Sequence, residues 1–184
     1  IFPRAGNLIN QFETNYIFRG IIKFLFGKSD LFLAQGQNWS DFANNHLNLP
    51  NSRIKIVNNW TATNDLLKIG IRRKFITKKS RTNFIFVGWI EKNKGIYELL
   101  ESIKNLNNLN YNFSFTFIGN GKAMNYATNF IKKNKLSKKV NFCGWIPNKK
   151  IKYYYEKSDV FVLPSWHEGM PNSLIEALSC GLSS

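Results

Sequence analysis

Short runs of β-branched and aromatic residues alternate along this chain with stretches whose apolar residues recur every three to four positions. That alternation restricts the fold more than any other feature. The clearest instance begins at Asn83: NFIFVGW is an apolar run of strand length, EKNKG is a polar turn, and Ile96, Leu99, Leu100, Ile103 and Leu106 then share one helical face. A second unit runs from FSFTFIG (113–119) through the Gly119-Asn120-Gly121 turn into a helix carrying Ala123, Ala127, Phe130 and Ile131. A third joins VNFCG (140–144) to a shorter helix around 151–155, and a fourth joins VFVLP (160–164) to the helix after Pro171. Repeated strand–helix order predicts an α/β fold with a mainly parallel sheet.

The first sixty residues use the same grammar, with a helix near 16–26, a strand at 31–34, a helix near 39–46 and a strand at 54–57. SDLFLAQG at 29–36 and SDVFVLPS at 158–165 both enter a strand through Ser-Asp, an echo that fits two similarly built halves, although Ser-Asp is also a generic turn pair. Between the halves, KIGIRRKFITKKSRTN (68–83) is strongly cationic and has no long apolar period, so the stretch 61–82 reads as a basic linker.

Lys plus Arg outnumber Asp plus Glu by 26 to 11, a net charge of +15 that suits an anionic partner such as a nucleotide, a nucleic acid or an anionic lipid surface. The abundance of Asn, Lys and Ile is also what an AT-rich coding sequence yields, so the basic surface has two readings. Cys143 and Cys180 have no Cys or His at metal-ligand spacing, which points away from zinc and from a disulfide framework and toward small buried residues in a reducing cytoplasm. The apolar run 17–26 is interrupted by Arg19 and Lys23 and is too short to span a bilayer. The chain opens on Ile1 and stops soon after Gly181-Leu182, as a piece of a longer protein would.

Three places carry residues suited to chemistry. Lys94-Gly95 ends the loop after the first strand of the second half and opens a helix, where a cation and free backbone N–H groups meet at the C-terminal edge of a parallel sheet. A solvated lysine is the ordinary alternative in so basic a chain. Gly119-Asn120-Gly121 can admit a nucleotide close to the backbone, or be a plain tight turn. In HEGMPNSLIEALSCG (167–181), Pro171 suits a first helical turn, with Glu168 in the loop before it and Glu176 one to two turns inside. Glu176 is flanked by Leu174, Ile175, Ala177 and Leu178, and a carboxylate in such surroundings needs a partner. His167 and His46 have no nucleophile placed to work with them and read as packing or hydrogen-bonding residues.

FVGWIEKNKGIYELLESIKNL, FTFIGNGK, VNFCGWIP and SDVFVLPSWHEGMPNSLIEALSCG, in that order and spacing, resemble the donor-binding domain of family 4 retaining glycosyltransferases of the GT-B fold (glycosyl transferases group 1). The likeness covers roughly 83–184, and VNNW at 57–60 resembles the stretch that closes the N-terminal domain of that family. It implies two Rossmann-like parallel-sheet domains, the first only partly present (1–60) and the second (83–184) truncated at its C-terminus.

The resemblance also implies roles. Glu168 contacts the donor sugar near the reacting carbon, Glu176 accepts hydrogen bonds from the ribose, and Lys94 stabilises the leaving diphosphate. Backbone N–H groups near Gly169, Met170, Asn172 and Ser173 bind sugar and phosphate oxygens, Gly88, Gly119 and Gly121 line the donor site, and Gly144, Trp145 and Ile146 face the base. Many members carry Arg after the glycine of the first strand; here Trp89 stands there, leaving Lys92 or Lys94 to carry the charge. The implied activity is transfer of a hexose or related sugar from a UDP- or GDP-linked donor, with retention and without metal or cofactor, to a glycan or lipid-linked acceptor in surface polysaccharide or glycolipid synthesis. The setting is the cytoplasm, peripheral to the inner face of the plasma membrane, and the 184-residue chain alone is expected to be inactive. The rival reading is a non-catalytic basic module on nucleic acid or anionic membrane. A nucleic-acid reader interleaves aromatics with its cations, and 68–83 has only Phe75.

Overall fold

Every strand pairing among the described residues is parallel. The computed structural model describes residues 8–58, 61–73, 80–166, 168 and 170–184. These form two compact units: one holds the chain up to 60 together with the segment 167–171, the other holds 61–166 and 172–184.

The first unit contains α1 (Leu8–Thr14), α2 (Tyr16–Gly27), β1 (Phe32–Ala34), α3 (Gln37–Leu47) and β2 (Ile54–Ile56), with β1 beside β2. Helix α1 was not expected from the sequence. Its break from α2 is a single residue, Asn15, whose side chain accepts a hydrogen bond from Phe18 N–H at 3.0 Å and so starts α2. Phe12, Phe32, Trp39, Phe42, Leu47 and Ile54 fill the core, and the Phe12 and Phe42 rings meet edge to face at 4.9 Å. Tyr16, Ile17, Ile21, Phe24 and Leu25 of α2 are exposed.

The second unit contains α4 (Asn64–Arg72), β3 (Thr82–Val87), α5 (Ile96–Asn108), β4 (Phe113–Ile118), α6 (Met124–Lys133), β5 (Val140–Phe142), α7 (Asn148–Lys157), β6 (Val160–Phe161) and α8 (Asn172–Ser179). The sheet order is β5-β4-β3-β6. Period-two alternation sends Phe84, Phe86, Phe113, Phe115 and Phe117 to one face, under Ile96, Leu100 and Ile103 of α5 and Ala127 and Ile131 of α6. Ile85, Val87, Ile118 and Phe161 take the other face, with Leu66, Ile151, Tyr155 and Ala177 from α4, α7 and α8. The register pairs Phe84 with Phe115 and Phe86 with Phe117, and the Phe84 and Phe115 rings stack 5.9 Å apart.

Part of the stretch read as a linker is structured. Thr63 caps α4 by accepting Leu66 N–H, and Leu66 and Ile69, one turn apart, reach the core of the second unit. Only Leu66 and Ile69 of its four apolar residues face the core, too few repeats for so short an amphipathic helix to stand out beside the cationic run that follows. After it, the Arg73 guanidinium donates to the carbonyls of Cys180 and Ser158, both at 2.7 Å, and of Tyr155 at 2.9 Å. The Ser158 and Cys180 carbonyls stand at the ends of α7 and α8, and the Tyr155 carbonyl also accepts Ser158 N–H at 3.2 Å, so one side chain helps to close two helix ends. Residues 74–79 lie outside the described residues.

Strand β6 is also shorter than the 160–164 read from sequence. Val162 N–H still reaches the carbonyl of Ile85 at 2.9 Å, but Pro164 has no N–H to continue the ladder. Ser183 runs parallel to Val160, its carbonyl accepting Phe161 N–H at 2.8 Å.

Candidate functional site

In an open parallel sheet the loops after the strands converge on one edge, where ligands bind. Four such loops in the second unit are joined through their backbones. Gly88 N–H donates to Ile118 at 3.0 Å, Ile90 N–H to Asn120 at 3.0 Å, Ala123 N–H to Ile90 at 2.9 Å and Gly119 N–H to Gly144 at 2.7 Å. Trp166 N–H donates to Asn93 at 3.1 Å, tying the loop after β6 to the loop after β3. Gly88, Lys94, Gly119, Gly121, Trp145 and Ile146, all singled out from sequence, therefore stand on this one edge.

Two glycines make the close approach possible. Gly119 has φ +130°, and a Cβ there would overlap the carbonyl oxygen of Gly88; Gly95 has φ +66°, and a Cβ there would overlap that of Pro164. Both backbones occupy a region that L side chains avoid, and both sites also lack the space for one. Gly95 is the left-handed residue from which α5 starts, following the 3-10 turn Lys92–Lys94. Lys94 is half-buried in that turn and Lys92 is exposed. Trp89, in the place of the expected arginine, is 64% exposed; Trp145 and Trp166, on the loops after β5 and β6, are 70% and 55% exposed.

Asn172 and Ser173 open α8, and Glu176 follows one turn later, half-buried. The partner its surroundings demand is Tyr155 of α7, whose hydroxyl donates to Glu176 Oε2 at 3.1 Å. Burial raises the Glu176 carboxyl above the ordinary glutamate range, and the Tyr155 hydrogen bond partly offsets this. Tyr155 itself is fully buried and resists ionisation, first because of burial and then because Glu176 is beside it. Sequence reasoning missed this tyrosine. Its signal was positional, since Tyr155 stands one turn after the buried Ile151 and so shares that residue's inward face, whereas Tyr153 points out. Ser165 was missed too; its Oγ is buried on the loop after β6 with no hydrogen-bond partner among the described residues.

Glu168 and Met170 belong to the first unit, where Glu168 is exposed and Met170 half-buried. Gly169 and His167 lie outside the described residues. His46 packs its ring against Phe12 and Phe42, each at 5.4 Å. Cys180 is buried, and burial pushes its thiol up to about 11. Among the described residues there is no group of three His, Cys, Asp or Glu side chains placed to hold a metal, and no helix is long and apolar enough to cross a membrane.

Residues 68–183 match the family described as glycosyl transferases group 1. Among curated relatives, the UDP-Gal:alpha-D-GlcNAc-diphosphoundecaprenol alpha-1,3-galactosyltransferase of Escherichia coli is 37% identical over 110 residues, covering 55% of this chain and 27% of that protein. The GalNAc-alpha-(1->4)-GalNAc-alpha-(1->3)-diNAcBac-PP-undecaprenol alpha-1,4-N-acetyl-D-galactosaminyltransferase of Campylobacter jejuni is 36% identical over 95 residues, covering 51% of this chain and 25% of that one. The chain thus spans about a quarter of the length of these relatives. Among solved structures, sucrose-phosphate synthase from Thermosynechococcus elongatus superposes with a TM-score of 0.74 at 15% identity, covering 98% of this chain and 48% of that one. The fold is α/β of the GT-B type, built on parallel sheets.

Proposed function

The chain belongs to the glycosyl transferases group 1 family, and from that premise we propose that the protein moves a hexose or related sugar from a UDP- or GDP-linked donor to a glycan or lipid-linked acceptor. The relatives named above act, by their names, on sugars carried by diphosphoundecaprenol or PP-undecaprenol, which supports a lipid-linked acceptor and a role in surface polysaccharide or glycolipid synthesis. The observation that carries the reading is the joined set of loops at the C-terminal edge of the second sheet, where Lys94, two close-packed glycine turns and the start of the Glu176 helix come from one unit.

The roles follow from charge. Breaking the bond between sugar and diphosphate builds negative charge on the diphosphate, and Lys94 with the backbone N–H groups of Asn172 and Ser173 at the start of α8 would stabilise it. Gly119 and Gly121 let the loops that line the nucleotide site pack backbone to backbone, with Gly88 on the same edge, while Trp145 and Ile146 take the base and Glu176 accepts the ribose hydroxyls. Glu168, with Gly169 and Met170, serves the donor sugar. Transfer proceeds with retention and needs neither metal nor cofactor. The protein works at the cytoplasmic face of a membrane: Ile17, Ile21, Phe24 and Leu25 lie exposed on α2 with the exposed Lys23 and Lys28 beside them, an arrangement suited to an anionic lipid surface. The nucleic-acid alternative loses ground because Arg73 commits its guanidinium to three backbone carbonyls and not to a surface.

The test uses the full-length enzyme and calorimetry with free UDP and GDP. Glu176→Ala should weaken binding of both the free nucleotide and the nucleotide sugar. Glu168→Ala should collapse turnover and leave free-nucleotide affinity intact, because the free nucleotide has no sugar. Variants that both bind nucleotide and transfer sugar like the wild type would sink the proposal.

A further inference from the structure

The hydroxyl of Tyr155 faces two acceptors, Glu176 Oε2 at 3.1 Å and the carbonyl of Ser173 at 3.2 Å. A phenol has one proton, so it cannot satisfy both fully at once. The tyrosine is also held at its other end. Its own carbonyl accepts from Arg73 at 2.9 Å, while the same guanidinium grips Ser158 and Cys180. With the backbone pinned and the ring fully buried against Phe161 at 6.4 Å, the hydroxyl oxygen is a point fixed by the fold. Glu176 is a flexible side chain on a neighbouring helix, and this is the side-chain contact that locates its carboxylate.

We propose that Tyr155 is the positioning residue for recognition of the nucleotide ribose: it holds Oε2 of Glu176 so that Oε1 is presented to the ribose hydroxyls of a nucleoside diphosphate. This rests on the reading of Glu176 as the ribose acceptor. A carboxylate with one oxygen tethered keeps a single orientation before the ligand arrives, so less side-chain freedom is lost on binding. The tether also favours the ionised form that ribose hydroxyls require, against the burial that opposes it. Tyr155 makes no contact with the ligand in this scheme and acts only through Glu176.

The experiment is calorimetry on the full-length protein with UDP and GDP, each beside its 2′,3′-dideoxy analogue. Wild type should prefer the ribose form. Tyr155→Phe keeps the ring and its packing, and should weaken the ribose form by roughly tenfold, the scale of one hydrogen bond to a charged group, while leaving the dideoxy form unchanged. In turnover, KM for the nucleotide sugar should rise with kcat nearly constant. In a Glu176→Ala background the phenol has nothing to hold, and adding Tyr155→Phe should change neither affinity, a result that separates positioning from damage to the fold. Equal weakening of ribose and dideoxy forms by Tyr155→Phe, or full retention of the preference, would overturn the positioning role alone. A wild type that binds both forms equally would instead remove the ribose role of Glu176, and this inference with it.

Discussion

Gly119 lies so close to Gly88 that a Cβ on the first would overlap the carbonyl oxygen of the second. Backbone meets backbone there, so no side chain can move aside. Gly119→Ala should therefore destabilise the second unit by about 2 kcal/mol or more, combining overlap with a backbone conformation that alanine avoids. Denaturant unfolding of the variant is the check, and a midpoint equal to wild type would mean that the loops after β3 and β4 can separate freely.

Arg73 should prove a structural residue despite its place in a cationic run. Arg73→Ala leaves the carbonyls of Ser158 and Cys180 without their side-chain donor and the Tyr155 carbonyl with Ser158 N–H alone, at a cost of about 2–4 kcal/mol. Arg73→Lys should recover little, because an ammonium lacks the planar fork that reaches three acceptors. Both are measured by chemical unfolding, with the neighbouring Arg72→Ala, exposed at the end of α4, as a near-silent control.

Glu176 gives the stability a pH dependence of defined sign. Its carboxyl pKa is raised in the folded state, chiefly by burial, so the folded chain holds its proton at pH values where the unfolded chain has lost it. Stability from this group is complete below the unfolded pKa and declines as pH rises through the folded one. Glu176→Gln should flatten that decline, as read by melting temperature across a pH series. A steeper slope in the variant would contradict the assignment.

Lys94→Ala in the full-length enzyme should lower turnover by roughly two to three orders of magnitude, the scale for losing one group that stabilises developing charge. Near-normal turnover would transfer the role to Lys92 or to the start of α8. Chelator added to wild type should leave the rate unchanged.

The sequence declared its helices and strands wherever apolar spacing was long. Five residues at helical spacing announced α5, and the paired runs around Phe84 and Phe115 announced the central strands. Helix α4 escaped because only Leu66 and Ile69 carry its inward face, beside a cationic run. The candidate site was legible from residue type and position, since Lys94 and Gly119 stand at boundaries between elements and Glu176 is a lone carboxylate in the otherwise apolar run of α8. What supports them was not. Tyr155 and Arg73 act across 21 and 107 residues of chain respectively, on Glu176 and on Cys180, and such contacts depend on helix packing that local periodicity does not encode. Ser165 was equally hidden, because only packing reveals that a serine hydroxyl is enclosed.

The placement of tryptophan in the second unit has an optical consequence. Trp89, Trp145 and Trp166 are all exposed on loops at one sheet edge, while the core beneath them is built from phenylalanine on one face and mainly aliphatic side chains on the other. Indole emission from this unit thus originates at its rim and already comes from solvated rings in the native state. Unfolding the core should shift that emission little, whereas a molecule settling over the rim would change it at once. The unit is a weak fluorescent reporter of its own folding and a sensitive one of occupancy.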